Sequence, residues 1–176
     1  MTRYLHRINL KNSTAPAWAY GVGAFIKGNI LLVGEQASDP KNAPEQQPFC
    51  SSKGCSGWLN RLLEEDGVPE DKLYWLNALN NDGSVVNFRS YLAALEPSTV
   101  IALGNVAARV CSEQDIPFVK CYHPQYWKRF HSKNPYPLLD LLQQSLKNIP
   151  VGRDGLESFL QADINRHADR RVTAVS

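Results

Sequence analysis

The chain has only four cysteines, Cys50, Cys55, Cys111 and Cys121, and no two of them form a CxxC pair. Nothing else in it suggests secretion, so a disulfide framework or zinc ribbon is not expected, and free thiols are. No apolar run reaches the roughly 18 residues that a membrane span needs. The N-terminus, MTRYLHRINL, lacks the apolar core of a secretory signal. A soluble, cytoplasmic protein with no membrane partner is expected. Acid is missing from two stretches. Residues 1–33 hold Arg3, Arg7, Lys11 and Lys27 and no acid, and residues 116–139 hold Lys120, Lys128, Arg129 and Lys133 beside His123 and His131. Residues 34–115 hold twelve acids against six bases, so the net charge of +2 hides a segregation. A segregated basic strip is what a polyanion-binding face requires, and solvated surface charge is the competing reading.

With 176 residues, 43% hydrophobic and 20% charged, the chain suffices for one substantial core and is short for two. One domain over 1–176 is expected, with 1–28 an irregular N-terminal arm and 150–176 a C-terminal helix and tail. Asn29 to Gly34 is a continuous apolar run ending in glycine, as for a strand buried on both faces. Residues 35–54 are polar and proline-rich, a loop much longer than the usual roughly 4–6 residues, and such loops tend to be functional. Helical spacing follows in Ser56 to Glu65, then a strand in Lys72 to Leu79 and a helix from Asn87 to Leu95. Thr99 to Leu103 is a third strand that opens through Gly104 into a helix from Asn105 to Cys111, and Pro117 to Tyr122 is a fourth. Helices are expected at Leu138 to Leu146 and from Gly155 to about His167.

Strands alternating with helices imply a parallel sheet covered on both faces. The fold class expected is α/β, a three-layer α/β/α sandwich with a central four-stranded parallel sheet. Ligands bind such sheets outside the carboxyl ends of the strands. Glu35, Asn77, Gly104 with Asn105, and His123 all fall at those ends, so four separated segments converge on one edge.

Taken together these residues resemble the uracil-DNA glycosylases, most closely the branch often called family 4. The resemblance rests on Gly34-Glu35-Gln36-Ala37-Ser38 after the first strand, Pro48-Phe49 in the loop, Gly57 to Leu63 in the first helix, Asn77, Leu103-Gly104-Asn105-Val106-Ala107 and His123-Pro124, in order across about residues 29–146. It implies a glycosylase-like fold, DNA as partner and flipping of the target base. The chain departs from the pattern at Ala37 and Ser38, lacks the Cys-Arg-Pro that follows the second strand's Asn, and has no N-terminal cysteine pair. No iron–sulfur cluster, other metal or cofactor is therefore expected, and the working form is expected to be a monomer.

Cutting an N-glycosidic bond passes through an oxocarbenium-like sugar while negative charge develops on the departing base. Glu35 is the candidate to stabilise the cation and orient water, and its rival role is a helix cap. His123 is the candidate donor to the base oxygen, since a neutral imidazole suffices; packing at a strand end is the rival. Gln36, Phe49 and Asn77 are the candidates for holding the base, Phe49 by stacking and Asn77 by reading its Watson–Crick edge. A core phenylalanine and a turn-capping asparagine are the rivals. Gly104, Asn105, Pro124, Gln125, Tyr126, Trp127, Lys128 and Arg129 are expected against DNA. Among these, Tyr126 or Trp127 would fill the gap left by the flipped nucleotide, with Lys128 and Arg129 on flanking phosphates; a solvated loop is the alternative. The function expected is monofunctional hydrolysis of the bond to uracil or a modified pyrimidine. A binding protein of the same fold, or an enzyme acting on a hypermodified base, are the alternatives.

Overall fold

The apolar runs become strands because each is flanked by turn residues and rich in the branched side chains that suit a pleated, doubly covered surface. The structure, a computed structural model, describes residues 2–41 and 46–147. Strand β1 is Val22–Gly23, β2 is Ile30–Gly34, β3 is Leu73–Asn77, β4 is Val100–Leu103 and β5 is Val119–Cys121. They form one sheet in the order β1-β3-β2-β4-β5. The four strands β2 to β5 are parallel, as expected; β1 adds a short antiparallel edge on β3, with Val22 opposite Trp75.

Side chains alternate along each strand and divide the core into two halves. Leu31, Val33, Tyr74, Leu76 and Ala102 pack with helices α3 (Arg89–Leu95) and α4 (Asn105–Glu113). Ile30, Leu32, Trp75, Ile101 and Leu103 pack with α2 (Gly54–Glu65) and α6 (Pro137–Lys147). The chain thus leaves β2 toward one layer and β4 toward the other. Those two strands are neighbours, so the loops beyond their carboxyl ends diverge and open a crevice. Among the described residues no helix is long and apolar enough to cross a membrane.

The N-terminal segment differs from the expectation of an irregular arm. Residues Arg3–Thr14 form helix α1, and β1 follows it. Its inward face is built chiefly from arginine, with Ile8 packed against the core beside it. Arg7 is fully buried, and its Nε and Nη2 donate to the Glu70 carboxylate at 3.1 and 2.6 Å. Arg3 pairs with the same carboxylate at 2.7 Å. This also removes half of the basic strip, since these two cations face inward and Lys27 pairs with Glu96 at 3.1 Å. The buried pair satisfies its charges internally, whereas an unpaired buried charge would cost several kcal/mol. The helix expected near Gly155 to His167 lies outside the described residues.

A second difference follows the fourth strand. Pro124–His131, where no helix was expected from the sequence, is helix α5. Proline at the first helical position needs no N–H partner, and the His123 side chain caps the helix by accepting from the Gln125 amide at 3.0 Å.

Candidate active site

The parallel register sets the depth at which each polar residue leaves the sheet. Gly34 is paired with Asn77 across β2 and β3, and Leu103 with Cys121 across β4 and β5. Glu35, Asn77, Gly104 and His123 therefore emerge at nearly one level. Beyond β2 the pairing continues, with the Ala78 and Leu79 amides donating to the Gly34 and Glu35 carbonyls at 2.8 and 2.9 Å. The backbone of Glu35 is fixed while its side chain stands exposed. No helix starts at Glu35, so it caps nothing.

A cavity of about 730 Å3 opens at this edge, lined by Glu35, Gln36, Phe49, Asn77, His123 and Gln125 among others. The Asn77 side chain is 3% exposed, and its amide has no hydrogen-bond partner among the described residues. It caps no turn. Its polar atoms border the cavity, where an amide offers both a donor and an acceptor to a ligand. The Asn77 backbone N–H donates to Gln46 Oε1 at 3.0 Å, and the Gln46 amide in turn donates to Asn80 Oδ1 at 3.1 Å. Gln46 thus ties the end of the long loop to the end of β3.

Phe49 lies between two other rings, 5.7 Å from Trp75 and 5.9 Å from His123, centroid to centroid. Gly34 leaves room for this arrangement: a Cβ there would lie 2.7 Å from Asn77 Oδ1 and 3.1 Å from the Phe49 ring. His123 accepts at Nδ1 from the Gln125 N–H, so the neutral imidazole carries its proton on Nε2. Burial pushes the His123 pKa below its ordinary value, and the nearby charge of Glu35 offsets this in part. The ring is thus a neutral donor near a carboxylate at one cavity.

Gly104 braces the imidazole from below. It has φ 96° and ψ 178°, a region essentially closed to other residues, and a Cβ on it would lie 3.0 Å from His123 Cβ. Gly104→Ala is expected to destabilise the protein by about 1–3 kcal/mol and displace His123; urea unfolding measures the first effect, and an unchanged midpoint would contradict it.

Of the remaining candidates, Gln36 and Gln125 line the cavity, whereas Asn105, Pro124, Tyr126, Trp127, Lys128 and Arg129 do not. Gln36 donates one amide N–H to the Asn80 carbonyl at 3.0 Å, which leaves its oxygen and second N–H for a ligand. The Asn105 oxygen accepts from the Lys120 ammonium. Tyr126 stacks on Tyr122 at 5.6 Å and 11°. The Trp127 ring packs on Tyr122, His131 and Tyr136, and its indole N–H donates to the Asn134 carbonyl at 3.1 Å. Neither is a free wedge. The exposed ring of this helix is Phe130, at 64%, beside the exposed cations Lys128 and Arg129.

The family model for the uracil DNA glycosylase superfamily matches residues 20–147, most of the chain and all of these strand ends. The chain belongs to that superfamily. Members of the superfamily are in general DNA glycosylases. No curated protein matches the chain.

An iron–sulfur cluster of the kind found in part of the uracil-DNA glycosylases does not fit these residues. Cys111 packs in one half of the core, whereas Cys50 and Cys121 pack in the other, across the sheet. Burial raises the Cys50 thiol to about 11 and the Cys111 and Cys121 thiols to about 12, so all three stay protonated and inert at neutral pH. Among the described residues no group of three His, Cys, Asp or Glu side chains is arranged to hold a metal. Sequence reasoning missed Gln46, Asn60 and Arg7 near the cavity. Their signal is buried polarity, which composition and periodicity do not register.

Proposed function

We propose that the protein is a monofunctional DNA glycosylase that flips a uracil or modified pyrimidine into this cavity and hydrolyses its bond to deoxyribose. The observation that carries the reading is a neutral Nε2–H imidazole, a carboxylate and the Asn77 amide lining one cavity. In this mechanism Phe49 stacks on the base and Asn77 pairs with its edge. As the C–N bond breaks, its electron pair leaves with the base, and His123 Nε2–H donates to the base oxygen where that charge collects. Glu35 stabilises the sugar cation and orients a water, which adds to C1′ and gives up its proton to solvent through the carboxylate. The products are the free base and an abasic site. Lys128 and Arg129 hold flanking phosphates, and Phe130, rather than Tyr126 or Trp127, is the ring available to meet neighbouring bases.

A modified base has a specific observation in its favour. A cavity of about 730 Å3 is in the range that takes drug-sized ligands, and Ala37 and Ser38 on its wall are small. The volume leaves room for a substituent on the pyrimidine.

The test is a panel of oligonucleotides carrying uracil, hydroxymethylated and glycosylated pyrimidines and alkylated bases, each incubated with protein and then treated with alkali. Scission at one base supports the proposal. Salt-dependent binding with no scission at any base would instead indicate a binding protein of this fold.

The pH dependence has a defined sign. The neutral form of His123 is favoured, so its contributions to activity and to the α5 cap are complete above the ordinary value of 6.5. They are lost as pH falls through the lowered value, where Nδ1 gains a proton and opposes the Gln125 N–H. Activity is therefore expected to stay level from pH 8 to below 6.5 and then drop. A drop centred at or above 6.5 would contradict the assignment.

A further inference from the structure

We infer that Arg7 and Asn60 are positioning residues for the ring of Phe49, so that helix α1 is a working part of the site. The inference rests on the reading of Phe49 as the base-stacking ring. Phe49 has φ 55°, in the left-handed region that a bulky residue occupies only when its surroundings hold it there. Two donors do so. Arg7 Nη1 and Asn60 Nδ2 both donate to the Phe49 carbonyl, each at 2.9 Å.

The arginine is committed on every nitrogen. Nε and Nη2 serve Glu70, Nη2 also reaches Asn60 Oδ1 at 2.8 Å, and Nη1 serves Phe49. Its guanidinium also lies 4.2 Å over the Trp75 ring, against which Phe49 packs edge-on. Trp75 is fixed further by its own N–H, which reaches Glu70 Oε2 at 3.3 Å. One buried side chain thus holds both the carbonyl of Phe49 and the surface that its ring rests on. If φ relaxed to an ordinary negative value, the ring would swing away from His123 and the cavity. A planar fork with five donors can make this set of contacts, and a lysine ammonium cannot. Arg7 precedes residue 20, where the superfamily match begins, so this support comes from outside the matched region.

The test is a double-mutant cycle. Asn60→Ala and Arg7→Lys are each made in the full chain and again in a Phe49→Ala background, and single-turnover excision is followed against oligonucleotide concentration. Asn60→Ala is expected to raise the half-saturating concentration about three- to tenfold with the maximal rate little changed. It should add nothing in the Phe49→Ala background. Arg7→Lys should behave likewise with a larger effect, and if it fails to fold, Asn60→Ala carries the test alone. Equal losses in both backgrounds would show that the pair supports the fold rather than the ring, and would overturn the inference.

A second readout needs no substrate. The Cα and Cβ shifts of Phe49 in the ligand-free protein report its backbone conformation, and they are expected to move in Asn60→Ala; unchanged shifts overturn the inference. Should the wild-type chain excise no base, the reading of Phe49 falls and this inference with it. That result is distinct from an active wild type with an additive cycle, which counts against Arg7 and Asn60 only.

Discussion

Glu35→Gln is expected to lower the rate of base excision by about 10²-fold or more while leaving DNA affinity nearly unchanged. The amide is almost the same size as the carboxylate, so the cavity keeps its shape and only the charge goes. That charge matters when the sugar becomes cationic, and not when the base is merely bound, so the loss falls on the maximal rate. Because Glu35 is exposed and its backbone is fixed by the Leu79 amide, the substitution should leave the fold intact. Single-turnover excision followed by alkali measures the rate, and anisotropy measures the affinity. Full activity in Glu35→Gln would move the role elsewhere, and among the described residues Asp39 is the other carboxylate that lines the cavity.

His123→Ala should cost about 10²–10³-fold in rate, the usual loss for one donor to a developing anion. It should also cost about 0.5–2 kcal/mol of stability, because α5 loses the group that caps the Gln125 amide. The two roles of the imidazole separate in His123→Asn. Its side-chain oxygen can still accept from Gln125, but no donor stands where Nε2 was. Stability close to wild type with the rate still depressed is the expected pair of results. Recovery of both in the asparagine variant would mean that capping is all His123 does.

What could be read in advance follows from what each residue needs. The runs Ile30 to Val33 and Val100 to Leu103 are doubly buried strands, and their apolar continuity says so without any partner. Once four parallel strands are granted, the residues after them must share an edge, which is why Glu35, Asn77 and His123 could be named together. Helix α1 was illegible for the opposite reason. Its buried face is Arg3 and Arg7, neutralised by Glu70 more than sixty residues away, and no local pattern announces an ion pair across that distance. The helix after His123 was not anticipated because proline usually interrupts a helix, whereas Pro124 is the first residue of one. The polar roles of Gln46 and Asn60 depend on which carbonyl or amide happens to face them, and only coordinates supply that.

The central claim is that one extruded base sits between Phe49 and Asn77, with its sugar toward Glu35 and its oxygen toward His123. A crystal structure of Glu35→Gln bound to an oligonucleotide carrying the excised base tests it most directly. The base should lie within this cavity, its edge hydrogen-bonded to the Asn77 amide and His123 Nε2 within about 3 Å of a base oxygen. A structure with every base stacked in the DNA and the cavity vacant, the strand held only by Lys128 and Arg129, would contradict the account.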